Sequence, residues 1–150
     1  MAGEPLDFYT RQEFIVEIDG ISRAGFMTMS ELAVEVTVAT LMEGGRATPH
    51  KRPVKKNYPN VTLGRGVTDD RDIYDWMGQV SSASTGTGLT GTDYKRNIDI
   101  VQLDRDGSER RRWTLFGCFP VRFVAGDWDA DSDDPLVEQV EIAFDYFEID

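Results

Sequence analysis

Chemistry in this 150-residue chain starts from its rarest reactive groups, one histidine, His50, and one cysteine, Cys118. A nucleophile needs a base beside it and a third group to orient that base. His50 lies in a segment dense in lysine and arginine, so no Cys-His or Ser-His-acid set is expected around it. A single cysteine excludes an internal disulfide and is silent on compartment. Carboxylates are abundant, 27 against 16 bases, and counting alone does not exclude a two-carboxylate hydrolase. Most of them fall in turns or on strand faces opposite the apolar ones, where the expected role is a solvated acidic surface. The sharpest metal pattern is Asp127, Asp129, Asp131 and Glu138, which occupy places one, three, five and twelve of a calcium loop. Ser132 stands where that loop needs glycine, Pro135 intrudes, and a strand precedes it instead of a helix. An acidic turn without metal is the expectation. A calcium-dependent binding module is the alternative from a different class. The run Ser81–Thr92 has no lysine and does not open a helix, which rejects a phosphate loop. Its composition is that of a flexible connection leaving a helix.

The remaining chemical signal is cationic. Residues 43–58 read as one long basic loop carrying Arg46, Lys51, Arg52, Lys55 and Lys56, with no acid after Glu43. Loops beyond about 12–15 residues are uncommon and tend to be functional or disordered. Pro49 and Pro53 keep the segment out of any central strand. A basic projection that docks on an acidic surface is the functional expectation. Nucleic acid is the weaker one, because no aromatic interleaves with the bases and the chain carries −11. Arg110–Arg112 is a second basic run, but strand alternation splits it across two faces.

The elements that must hold these groups are organised around residues 59–77. Val61 and Leu63 share one side of a short strand, Asn60 and Thr62 the other. Gly64 and Gly66 flank Arg65 and predict a sharp reversal. A helix over 68–81 follows, capped by Thr68 or Asp69, with Asp69, Asp70 and Asp72 at its positive end. Ile73, Trp76, Met77 and Val80 fall on one face and should pack it on a sheet. Nearly everything else reads as β. Phe14, Val16 and Ile18 alternate before the Asp19–Gly20 turn, and a short segment spans Ala24–Met29. Leu32, Val34, Val36 and Val38 predict a half-buried strand. Asp106–Gly107 predicts a two-residue hairpin turn pairing Ile98 with Leu115, Asp99 with Thr114, Ile100 with Trp113, Val101 with Arg112, Gln102 with Arg111, and Asn97 with Phe116. Phe119, Val121 and Phe123 continue the pattern, and a last strand alternates Leu136, Val140, Ile142, Phe144 and Tyr146. Residues 1–12 read as an N-terminal arm, and 1–150 as a single domain. No apolar run approaches the roughly 20 residues of a membrane span. No signal peptide is expected, and production in a cytoplasm fits best.

The order of these pieces resembles the tail tube proteins of contractile phage tails and phage-tail-like contractile injection particles. The matching stretches are FIVEIDG (14–20), AGFMTMSEL (24–32), MEGG (42–45), YPNVTLGRGVTDDRDIYDWM (58–77), RNIDIVQLDRDGSERRRWTLFGCFPVRF (96–123) and VEQVEIAFDYFEI (137–149). They cover almost the whole chain. Departures are Glu31, where the family usually has glycine, and Arg52-Pro53-Val54, where it usually has a leucine-proline-glycine-like turn. The resemblance implies a mainly β fold, a rolled β-sandwich or β-barrel with one packed helix, assembling into hexameric rings. The rings stack into a hollow tube through which DNA or protein cargo passes without specific binding. It also implies sheath, baseplate and tail-terminator partners, location in a virion tail or injection particle, no cofactor and no catalysis. In the family the long loop after the EGG turn reaches neighbouring subunits, so Arg46, Lys51, Arg52, Lys55 and Lys56 become candidate contacts. A secreted ring protein carrying effectors for a secretion system is the alternative from the same architecture.

Overall fold

The computed structural model describes residues 14–19, 25–42, 44–45, 47–67, 71–85 and 94–150. Nine strands and one helix lie among them: β1 (Phe14–Ile18), β2 (Thr28–Met29), β3 (Glu35–Leu41), β4 (His50–Asn57), β5 (Val61–Gly66), α1 (Asp72–Thr85), β6 (Arg96–Leu103), β7 (Glu109–Val124), β8 (Val137–Ala143) and β9 (Tyr146–Ile149). The expected arm at 1–12, Gly20, and the capping residues Thr68 and Asp69 fall outside the described residues.

Seven strands follow the hydrogen-bonded order β1-β6-β7-β8-β5-β2 with β9 also on β7, and every pairing is antiparallel. The sheet rolls because β7 serves two halves. Its first part pairs with β6 and β9, and its second part with β8. The break lies at Gly117, whose φ of 67° favours glycine. A Cβ there would meet Asp145 Oδ2 at 2.2 Å. Asp145 sits between β8 and β9, and its amide donates to the Phe116 carbonyl at 2.9 Å. The predicted last strand is therefore two strands meeting at a corner, and the Phe116 and Tyr146 rings stack across it at 4.7 Å.

The interior forms between the two halves. Val16, Ile18, Ile98, Ile100 and Leu115 come from one, Val61, Leu63, Val140 and Ile142 from the other, and Ile73 and Trp76 from the helix. Alternation in β1, β5, β6 and β8 selects these residues, as a strand with one buried face requires. The β6–β7 pairings from Ile98–Leu115 to Gln102–Arg111 are those the sequence predicts. The turn itself differs. Asp104 N donates to Ser108 O and Gly107 takes φ 86°, so the loop has three residues, Arg105–Gly107. A register shift after Gln102 compensates and restores the expected pairs. A second shift between Arg96 and Ile98 removes the expected Asn97–Phe116 pair. A third, between Pro120 and Arg122, turns Val121 outward.

Other expectations are corrected. Gly64 and Gly66 make no reversal: β5 runs straight through Gly66, and Gly64 instead admits Thr28 Oγ1, which would lie 2.5 Å from a Cβ. The helix covers Asp72–Thr85 rather than 68–81. Its C-terminal Ser-Ala-Ser-Thr run, expected as loop, contains no glycine or proline to stop it until Gly86. The largest correction concerns 43–58 and the strand before it. Residues 50–57 form a strand, paired with β3 in a separate two-stranded sheet.

Candidate assembly interface

The charged groups with the best-defined contacts hold the barrel together. Arg65, buried on β5, pairs with Glu138 on β8, and its guanidinium lies 5.7 Å over the Phe26 ring. Glu138 is the twelfth place of the apparent calcium loop, so that pattern loses its bidentate ligand to a structural pair. Asp129 meanwhile accepts from the Asp131 amide at 3.0 Å, a local turn contact. Among the described residues no group of three or more His, Cys, Asp or Glu is placed to hold a metal ion.

Arg112 reaches across three strands, donating to Glu109, Glu17 and Asp99 at 2.8, 3.0 and 2.6 Å. Those bonds raise its pKa further above the ordinary value, with Glu109 the largest cause. Its guanidinium in turn lowers the pKa of Glu109. The Ser108 hydroxyl does the same for Asp106 in the turn. Cys118 donates its thiol to the Leu115 carbonyl at 3.3 Å, and burial pushes its pKa up to about 12. A buried thiol of that kind is a poor nucleophile.

The helix residues divide by depth. Ile73 and Trp76 are fully buried, and Met77 and Val80 half-buried. Trp76 Nε1 donates to the Tyr94 carbonyl at 2.6 Å, and Arg96 lies 5.7 Å over its ring. Arg96 also donates to the Asp19 carbonyl and to Gln79, tying β1, the helix and β6 together.

The β3–β4 hairpin is different in kind. Among the described residues it pairs with no strand of the seven-stranded sheet. Every β4 residue is exposed, and every β3 residue except Ala39. The sequence places Val34, Val36 and Val38 on the apolar face of a half-buried strand, yet they are 46, 48 and 51% exposed, and Val54 is 63% exposed. Periodicity marks an amphipathic strand, but only the tertiary arrangement says whether the apolar face has a cover. Pro53 fits because β4 has one neighbour, so its missing N–H costs no ladder bond on the open side. A register shift between Thr37 and Val38 accommodates Val54 as the extra residue.

The register divides the predicted cations. Opposed residues share a face. Val36, Val38 and Thr40 lie opposite Lys56, Pro53 and Lys51, and occupy one face. Glu35, Thr37, Ala39 and Leu41 lie opposite Asn57, Lys55, Arg52 and His50, and occupy the other. Lys51 and Lys56 are thus separated from Arg52 and Lys55. Arg46 lies outside the described residues.

The class the fold defines is a rolled β body with one packed helix and an exposed, cation-rich two-stranded arm. A family model described as T4-like virus tail tube protein gp19 matches residues 10–148. The chain belongs to that family. Solved structures share the fold. The anti-feeding prophage cap, a tube-terminating cap, gives a TM-score of 0.85 at 21% identity over 100% of this chain and 95% of the other. The sheath-tube complex of the extracellular contractile injection system PVC gives 0.80 at 22% over 95% and 90%. Hcp1 from Flavobacterium johnsoniae gives 0.54 at 13% over 91% and 94%. No curated protein matches the sequence.

Proposed function

We propose that this chain is the structural subunit of the inner tube of a contractile injection particle or contractile tail, and that it performs no catalysis. Six copies close a ring, and rings stack around a lumen that passes DNA or protein cargo without specific contacts. Sheath, baseplate and tube-terminating proteins are its partners, as the names of the similar structures suggest for those assemblies. One observation carries the reading: a family match over residues 10–148 in a chain whose barrel leaves a whole two-stranded sheet uncovered. Strands β1 and β2 also end the sheet order without a further neighbour among the described residues. Joining such edges between copies removes them from water, and a closed ring leaves none over. The proposed contact cations are drawn from the arm, on which Lys51 and Lys56 share one face and Arg52 and Lys55 the other.

The secreted ring protein is less favoured, since the Hcp1 likeness is weaker than the likeness to the injection-particle structures. Negative-stain microscopy of the purified chain tests the proposal. Stacked rings or tubes with six-fold averages are expected. A protein that stays monomeric across concentration and salt overturns it, and free rings that never stack favour the secreted ring.

A further inference from the structure

A two-stranded hairpin alone in water is marginally stable at best. This one is nevertheless paired at seven positions, with one bulge at Val54, and its two faces differ. One face presents Val36, Val38 and Pro53 with Lys51 and Lys56, and no acid. The other presents Glu35, Thr37 and Asn57 among Arg52, Lys55 and His50, with Ala39 and Leu41. The first is the more apolar and the more purely cationic. We propose that this valine face is the docking face of the arm, that it seats on the acidic body of a second copy of this chain, and that the Arg52–Lys55 face stays toward water. The inference rests on the tube-subunit reading and assigns the contact within it.

Charge selects the occupant. The segment 46–56 holds five bases and no acid, which leaves 11 bases against 27 acids elsewhere, a body of net −16. A second copy therefore offers the arm a surface of opposite sign, and every copy carries both halves of the contact. Such a contact is heterologous, the kind that propagates in rings and stacks. Apolar contact at Val36 and Val38 supplies the attraction that screening does not remove, and Lys51 and Lys56 orient it.

The test compares two pairs of reversals with the same charge change on opposite faces. Lys51→Glu with Lys56→Glu is expected to cut the assembled fraction about tenfold or more, and Arg52→Glu with Lys55→Glu less than about twofold, by sedimentation and negative-stain microscopy. Val36→Thr with Val38→Thr keeps β-branched shape and net charge and should match the first pair. Circular dichroism and melting report that each variant keeps the barrel. Equal losses from both charge pairs overturn the assignment of faces, as does a larger loss from Arg52 and Lys55. Normal assembly of all three variants overturns docking on a second copy and leaves the arm to a different protein. Wild-type chain that never assembles removes the tube reading and this one with it.

Discussion

Trp76 shows what one residue does for the barrel. Its ring is wholly enclosed, its indole N–H is satisfied by the Tyr94 carbonyl, and Arg96 covers its face. Trp76→Ala removes the packing and leaves the carbonyl to find another donor, so a loss of roughly 3–5 kcal/mol is expected. Denaturant melts of variant and parent would show it, and an unchanged midpoint would mean the ring contributes nothing inside the barrel. Cys118 gives a pH-dependent counterpart. Its folded pKa is raised from 9.0 to about 12 by burial, so the unfolded chain releases the thiol proton first. Its contribution is therefore full below pH 9 and is lost as pH rises toward 12. Thiol reagents at pH 8 should leave the native protein unlabelled and label it fully in denaturant. Rapid labelling of native protein would contradict the enclosed position. Trp76 was legible from its helical stripe. The burial of Arg65 was not, because nothing in LGRG announces a partner 73 residues away.

Among the elements, β7 decides the shape. Sixteen residues in one strand are long for a sheet of this size, and the chain resolves this by bending at Gly117 and changing partners there. Gly117→Ala meets two costs, the left-handed φ and the Asp145 carboxylate in the place of the new Cβ. Gly107→Ala meets the first alone, since nothing lies within 4 Å of its Cβ position. Gly107→Ala should cost about 1–2 kcal/mol, and Gly117→Ala distinctly more. Equal midpoints for the two would mean the corner opens freely. The β6–β7 register was readable from alternation and the Asp106–Gly107 signal. The corner was not, because FGCFP reads as uninterrupted β and the constraint comes from Asp145 across the sheet.

For the whole molecule, body and arm are separate units. The arm lends no strand to the seven-stranded sheet and no residue from β3 or β4 to the core. Replacing residues 35–57 with a short glycine-serine loop should leave the barrel folded. Its melting midpoint should stay within about 4–8 °C of the parent, the shift that 1 kcal/mol produces in a small domain. A collapsed melt would show that the hairpin holds Leu32 and Tyr58, which pack against the core at its two roots. The same excision should abolish assembly. At −11 per chain, six copies carry −66, and removing the arm discards the cations that oppose this repulsion.

Sequence alone determined the local quantities: which strand residues share a face, where the helix stripe lies, how β6 meets β7, and the clustering of cations in 46–56. Each follows from a period of 2 or 3.6, or from a turn residue, within a short reach of chain. The family pattern, also in the sequence, pointed to a barrel that assembles. Tertiary structure decided which amphipathic faces are covered. Val16 and Val36 belong to equally alternating runs, yet one lies in the core and the other in water. It also turned the expected basic loop into a strand and divided its lysines between two faces, because pairing register is a property of two segments together. Burial and register depend on what comes to lie alongside a segment, and no segment's own pattern carries that information.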